Sequence, residues 1–196
     1  MMNFYLEYVD AVKTALEHII VTDSHGEEYE INQALDIWAT KAKEIRDNLN
    51  GLLFFCGNGA SATMAEHMSH DWFQNAEINT STCSETAHIT AISNDLSYED
   101  VFSYRIDRIL SEKDMLIGIS SSGNSPNIVK AMAAGRKKGA FIVTISGKEK
   151  DNKIRQMGDL NFYIDLKTYG LVESAHAVLL HVILDYFLNK YMGGMH

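Results

Sequence analysis

The chain has 196 residues, 46% of them apolar and 22% charged, with a formal net charge of -9. This fits one globular domain with a sizeable core, and the acidic surplus argues against a nucleic-acid footprint, so an anionic ligand must be held by local donors rather than by a basic field. Two cysteines, Cys56 and Cys83, are too few for a disulfide framework, no apolar run reads as long enough to span a bilayer, and the Met-Met-Asn-Phe-Tyr-Leu-Glu start is unlike a signal peptide, which together predict a cytoplasmic protein without membrane or nucleic-acid partners.

Phe4, Tyr5, Tyr8, Val9, Val12, Leu16 and Ile19 recur at helical spacing. Ser24-His25-Gly26 breaks the pattern, and a second helix is predicted from about Glu28 to Asn48, with Ile31, Leu35, Trp38, Ala42 and Ile45 on one face. Two long amphipathic helices over residues 1–50, ahead of any strand, are more than one sheet face needs; they pack on each other or on another subunit.

The run Leu52–Cys56 reads as a buried parallel strand. Gly57-Asn58-Gly59-Ala60-Ser61 leads from it into a helix from about Ala62 to Phe73. The turn looks like a truncated dinucleotide fingerprint, but no acidic residue closes a second strand about twenty residues on, which argues against NAD. On the helix, His67 and Asp71 share a face and His70 lies one residue off it. Such a pair holds a metal, works as an oriented acid and base, or is simply a solvated polar face.

Glu77–Ser84 reads as a polar loop, Ala87–Ile92 as a second strand, Ser93-Asn94-Asp95-Leu96-Ser97 as a turn, and Tyr98–Leu110 as a helix. A third strand, Met115–Ile119, runs into Ser120-Ser121-Ser122-Gly123-Asn124-Ser125-Pro126-Asn127 and then a helix from Ile128 to Lys138. Ser125 is placed as N-cap, and Pro126, the only proline, suits the first helical position. A helix start rich in hydroxyls, with no lysine or arginine, is unlike a nucleotide-phosphate loop and suits a single phosphate monoester; an ordinary serine-rich turn has the same composition. Phe141–Ile145 is the fourth strand, Asn152–Met157 a short helix and Asn161–Leu166 the fifth strand. The last helix, Leu171–Tyr191, carries Glu173, His176 and His181, and the tail Gly193-Gly194-Met195-His196 is expected to fray. Alternating strands and helices predict a parallel sheet covered on both faces, with ligands at the carboxyl ends of its strands.

The Gly57–Ser61 turn with His67, Ser93-Asn94-Asp95, the Ser120–Ser125 turn, and the late Glu173 and His181 together resemble the sugar isomerase (SIS) domain family, and within it the phosphoheptose isomerase branch, over almost the whole chain. The resemblance implies an α/β fold, a single SIS domain over residues 1–196 built as a three-layer α/β/α sandwich on a five-stranded parallel sheet of flavodoxin-like topology. It also implies a homotetramer with active sites between subunits. The branch converts sedoheptulose 7-phosphate to D-glycero-D-manno-heptose 7-phosphate, a precursor of bacterial lipopolysaccharide or capsule heptose.

By the same resemblance Ser61, Ser120, Ser122 and Ser125, with Ser121 adjacent, hold the sugar phosphate, and Asn58 and the Asn94-Asp95 pair lie near the sugar hydroxyls. His67, Asp71, Glu173 and His181 match the metal and catalytic cluster, where zinc is the usual ion. Isomerisation through an enediolate needs a base at one carbon and an acid at the neighbouring oxygen, roles expected of Asp71 and His181, with Glu173 also reaching the substrate. The chain departs from the pattern at Asp71 (Glu in the branch), Glu173 (Gln), Gly170 (an acid) and Asn75 (an arginine). All four surround the sugar or metal, so isomerisation of a different phosphosugar, or a non-catalytic phosphosugar-binding module with a regulatory role, stand as alternatives.

Overall fold

The computed structural model describes residues 3–47 and 51–194. The chain runs α1 (Phe4–Glu17), β1 (Ile20–Thr22), β2 (Glu28–Tyr29), α2 (Ile31–Asp47), β3 (Leu53–Gly57), α3 (Ala60–Ala76), β4 (Thr80–Ser81), α4 (Thr86–Asp95), α5 (Ser103–Ile109), β5 (Met115–Ser120), α6 (Pro126–Lys137), β6 (Phe141–Gly147), β7 (Leu160–Ile164) and α7 (Tyr169–Tyr191). One sheet holds all the strands in the order β2-β1-β7-β6-β5-β3-β4. The strands from β7 to β4 are parallel, and β1 and β2 add on antiparallel at the β7 edge.

The central strands are continuous apolar runs because both sheet faces are covered. Along β3, Leu53 and Phe55 enter one core and Phe54 and Cys56 the other, the two-residue period of a strand. The first core lies under α2, α3 and α7, with Trp38, Trp72 and Phe187 at its centre; α1 packs against it. The second lies under α4, α5 and α6, with Phe102, Ile128 and Met132. The α/β sandwich is as expected from the sequence, but the sheet has seven strands, not five, and is mixed.

The extra strands explain the difference. A short hairpin, not a plain break, separates the two N-terminal helices: the Asp23 carboxylate accepts from the backbone N–H groups of His25 (2.8 Å) and Glu27 (2.9 Å) and closes the turn between β1 and β2. β1 then pairs with β7, Val21 beside Phe162. The second helix starts at Ile31, later than its expected start, and Asn48 lies outside the described residues, as do Met195 and His196 of the tail. The expected strand at Ala87–Ile92 is instead the helix α4, on which only Ile92 is buried. Its place beside β3 is taken by β4, inside the segment read as a loop, where Leu53 pairs with Thr80. The helix expected over Tyr98–Leu110 is split into a 3-10 turn, Tyr98–Asp100, and α5.

The last helix bears on the expectation that no run spans a bilayer. By length and composition α7 is apolar enough to cross a bilayer. In this fold those residues serve packing: Val172, Leu180, Ile183 and Phe187 are buried, and the helix lies against α1, α2 and α3.

His176 is on the buried side of α7 with no exposed surface, and neither ring nitrogen has a hydrogen-bond partner. Burial pushes its pKa down to about 4. Because the folded value is depressed, the unfolded chain takes up a proton below the ordinary histidine pKa that the folded chain refuses until about pH 4. Stability contributed by neutral His176 is therefore full above that ordinary value and falls with pH, by about 3 kcal/mol at pH 4. Denaturant unfolding at pH 7 and pH 4 should show this loss, and His176→Phe should remove most of it.

Candidate active site

The carboxyl ends of β3 and β5 lie side by side, Gly57 beside Ile119, and each feeds a polar turn into a helix. The first turn is Asn58-Gly59 into α3, and the second is Ser121–Ser125 into α6. Between them is a cleft of about 260 Å³ lined by Asn58, Ser61, Ser120, Ser121, Ser122, Ser125, Tyr169 and Glu173. The five serines expected at the phosphate, and Asn58, expected near the sugar hydroxyls, thus line one cleft. Two helix N-termini point their free N–H groups and positive dipole ends toward it.

The local hydrogen bonds leave donors available. Ser125 is the N-cap of α6 but its hydroxyl makes no capping bond, and Pro126 follows at the first helical position. The Ser120 hydroxyl accepts from the Gly123 N–H (3.1 Å) and the Ser122 hydroxyl from the Asn124 N–H (3.3 Å), so both O–H groups can still donate. No lysine or arginine is among the described lining residues, and Glu173 is the one charged group among them. Tyr169, which the sequence did not point to, forms one wall, with the Lys148 ammonium over its ring, 3.9 Å from the centroid.

A second cluster lies further along α3 and α7, which pack on each other. His67 Nε2 is 3.3 Å from Asp71 Oδ2 on the same face of α3. The His67 and His181 rings stand at 65° with centroids 5.3 Å apart. Ligating atoms of His67, Asp71 and His181 fall within 4.8 Å of one another. Two imidazole nitrogens and a carboxylate oxygen would suit a divalent transition ion such as zinc. Glu173, expected as a fourth ligand, is not in this group. It lies in the serine cleft, where its carboxylate accepts from the Ser121 hydroxyl at 3.5 Å. Ser61 and His67 are six residues apart on α3, about 9 Å of helix rise.

The profile of the SIS domain matches residues 7–147. The chain belongs to the SIS domain family. Among its relatives, a phosphoheptose isomerase of Nitratidesulfovibrio vulgaris is 34% identical over 145 residues, 69% of each chain. One of Fusobacterium nucleatum is 30% identical over 189 residues, 94% of this chain and 93% of the relative. The solved phosphoheptose isomerase of Neisseria gonorrhoeae superposes with a TM-score of 0.78 at 24% identity, over 94% of this chain and 95% of that one, which shows a shared fold.

Within this SIS domain the remaining sequence-derived candidates are more scattered. Asn94 and Asp95 are exposed at the end of α4, where the Asn94 amide donates to the Asp95 carboxylate (2.9 Å), and neither lines the cleft. His70 is exposed beside the cluster. Asn75 joins Asp71, His181 and Asp185 around an open hollow of about 390 Å³ next to the cluster. At Gly170, a Cβ would come within 3.1 Å of the Tyr8 hydroxyl of α1, its one neighbour within 4 Å among the described residues.

Proposed function

We propose that this SIS domain is an aldose–ketose isomerase of a phosphosugar, acting on sedoheptulose 7-phosphate to give D-glycero-D-manno-heptose 7-phosphate. The observation that carries the reading is the pairing of a donor-rich, cation-free cleft with the His67, Asp71 and His181 cluster, about 9 Å apart along one helix. With C–C bonds of about 1.5 Å, an extended seven-carbon monophosphate covers roughly the same distance from phosphorus to carbonyl. Phosphate in the serine cleft therefore delivers the reacting carbons to the cluster, and binding energy at one end orients the other. The names of the relatives support the same reaction.

In this reading Asp71 takes the proton from one carbon and returns it to its neighbour, while His181 carries the proton between the two oxygens. Zinc bound at His67, Asp71 and His181 would polarise those oxygens and stabilise the developing negative charge. Glu173, in the cleft beside Ser121, would meet the substrate hydroxyls.

A homotetramer with sites between subunits fits the exposed surface. His67 and His181 are exposed in the single chain, and Phe73 (58%), Val178 (43%) and Val182 (42%) are exposed apolar residues on the same two helices. α1 adds Phe4, Tyr5, Leu6 and Val9. A second subunit covering these faces would exclude water from the cluster. The setting we infer is cytoplasmic heptose synthesis for bacterial lipopolysaccharide or capsule.

A coupled assay with sedoheptulose 7-phosphate tests the reaction. Turnover is expected, lost with a chelator and restored by zinc. Stabilisation by the phosphosugar without turnover would instead favour a different sugar, in line with the changes at Asp71, Glu173, Gly170 and Asn75, or a binding role.

A further inference from the structure

Asn58 and Asn127 face each other across the base of the cleft as a reciprocal amide pair. Asn58 Nδ2 donates to Asn127 Oδ1 at 2.9 Å, and Asn127 Nδ2 donates to Asn58 Oδ1 at 2.9 Å. The direction of this pair is set from one end. Asn127 Oδ1 also accepts from the backbone N–H of Ile128 at 3.0 Å. A backbone N–H can only donate, so the Asn127 atom facing it must be the oxygen, and the Asn127 amide cannot turn over without opposing two donors. Asn127 is 2% exposed and sits in the first turn of α6, so the protein holds it on all sides.

The consequence falls on Asn58. Its Oδ1 accepts from Asn127 Nδ2 and, at 2.9 Å, from the Tyr98 hydroxyl, which uses both lone pairs. Its Nδ2 has given one hydrogen to Asn127. What remains is a single N–H, on a side chain that lines both the serine cleft and an adjoining cavity of about 200 Å³. An asparagine on a turn ordinarily offers a ligand either a donor or an acceptor. This one offers a donor only.

We infer that Asn127 is a positioning residue, which, with Tyr98, locks the Asn58 amide so that it presents one N–H to an acceptor oxygen of the bound phosphosugar. The inference rests on the phosphosugar reading of the cleft. It assigns Asn127 a role that neither its burial nor its place in the serine turn would suggest, since its side chain need not touch the ligand. It also sets a chemical preference: at Asn58 the ligand must supply an oxygen lone pair, as a phosphate, carbonyl or hydroxyl oxygen does, and not an N–H group.

The test is a double-variant cycle on the whole protein, read by KM and kcat for sedoheptulose 7-phosphate and by its dissociation constant. Asn127→Ala should leave α6 folded, because the Ile128 N–H also reaches the Ser125 carbonyl at 3.0 Å. It frees the Asn58 amide to rotate, so KM should rise about tenfold, with kcat changed much less. In an Asn58→Ala background the same change should raise KM less than about twofold, because the group it positions is gone. Melting temperature should fall less in the Asn58→Ala background, because two of the bonds that Asn127 makes are to Asn58, so the KM-against-kcat split, which a merely structural role would not produce, is the deciding readout. A tenfold effect that persists without Asn58, or an unchanged KM in Asn127→Ala, would overturn the inference. Should Asn127→Ala not fold, the wild-type protein decides: in nitrogen-edited spectra the phosphosugar should move one of the two Asn58 side-chain protons and not the other, and movement of both or of neither counts against it. Binding without turnover removes the proposed reaction and leaves the positioning role standing; absence of phosphosugar binding removes both.

Discussion

His181→Ala is expected to lower kcat for sedoheptulose 7-phosphate by about 10²–10⁴-fold while leaving the affinity for inorganic phosphate within about twofold of wild type. The separation of the two effects comes from the geometry. His181 lies eight residues beyond Glu173 on α7, about 12 Å of helix rise, so its removal leaves the serine cleft as it was. Its imidazole is one of three converging donors, and without it His67 and Asp71 alone hold a divalent ion poorly. The variant loses a proton carrier and a ligand together. Metal content measured on the purified protein separates these: a variant that keeps its metal but not its turnover has lost the acid. Turnover at the wild-type rate would sink the assignment of this cluster to catalysis. Because His181 is exposed and the buried part of α7 faces away from it, the change should cost little stability, and unchanged melting would show that lost activity is not lost fold.

What could be read from the sequence follows what each signal depends on. The runs at β3, β5, β6 and β7 are continuous and apolar because these strands are buried on both faces, a local property. β1, β2 and β4 have only two or three residues, too few for any period to show, and their pairing is decided by the edges they join. At Ala87–Ile92 the window Ala-His-Ile-Thr-Ala-Ile carries β-branched residues, yet it forms a helix on which only Ile92 is buried, so its composition misleads about its state. The serine turn was legible because its donors are adjacent in the chain. The metal cluster was not, since His67 and His181 meet only when α3 packs on α7; spacing gave His67 with Asp71, and the resemblance supplied His181. Glu173 was read with that cluster, but in the single chain it points to Ser121. Tyr169 and Asn127 carry no sequence mark, because each matters through a partner distant in the chain.

Gly123→Ala should abolish phosphosugar binding, raising KM at least about tenfold, and destabilise the fold by about 2–4 kcal/mol. Gly123 has φ +62, and a Cβ on it would lie 1.9 Å from Asn152 Oδ1. Neither side can yield. Asn152 is 1% exposed and its amide donates to the Glu149 carbonyl (2.8 Å) and the Ser146 hydroxyl (3.2 Å), fixing the segment behind the turn to the end of β6. Gly123 itself accepts from the Ile154 N–H (3.1 Å) and donates to Ser120. A methyl group there must displace the turn into the cleft, moving Ser121 and Ser122 away from a ligand. Gly59→Ala is the comparison, because Gly59 also has positive φ (+56) but open space around its Cβ position. Its φ of +56 and ψ of -126 cost about 1–3 kcal/mol of strain with no clash, so Gly123→Ala should lose more stability than Gly59→Ala, the difference being the clash with Asn152. A Gly123→Ala protein that binds sedoheptulose 7-phosphate as the wild type does would show that the serine turn does not hold the phosphate. The proposed metal site should be unaffected in this variant, since His67, Asp71 and His181 are carried by α3 and α7 and none of them by the turn.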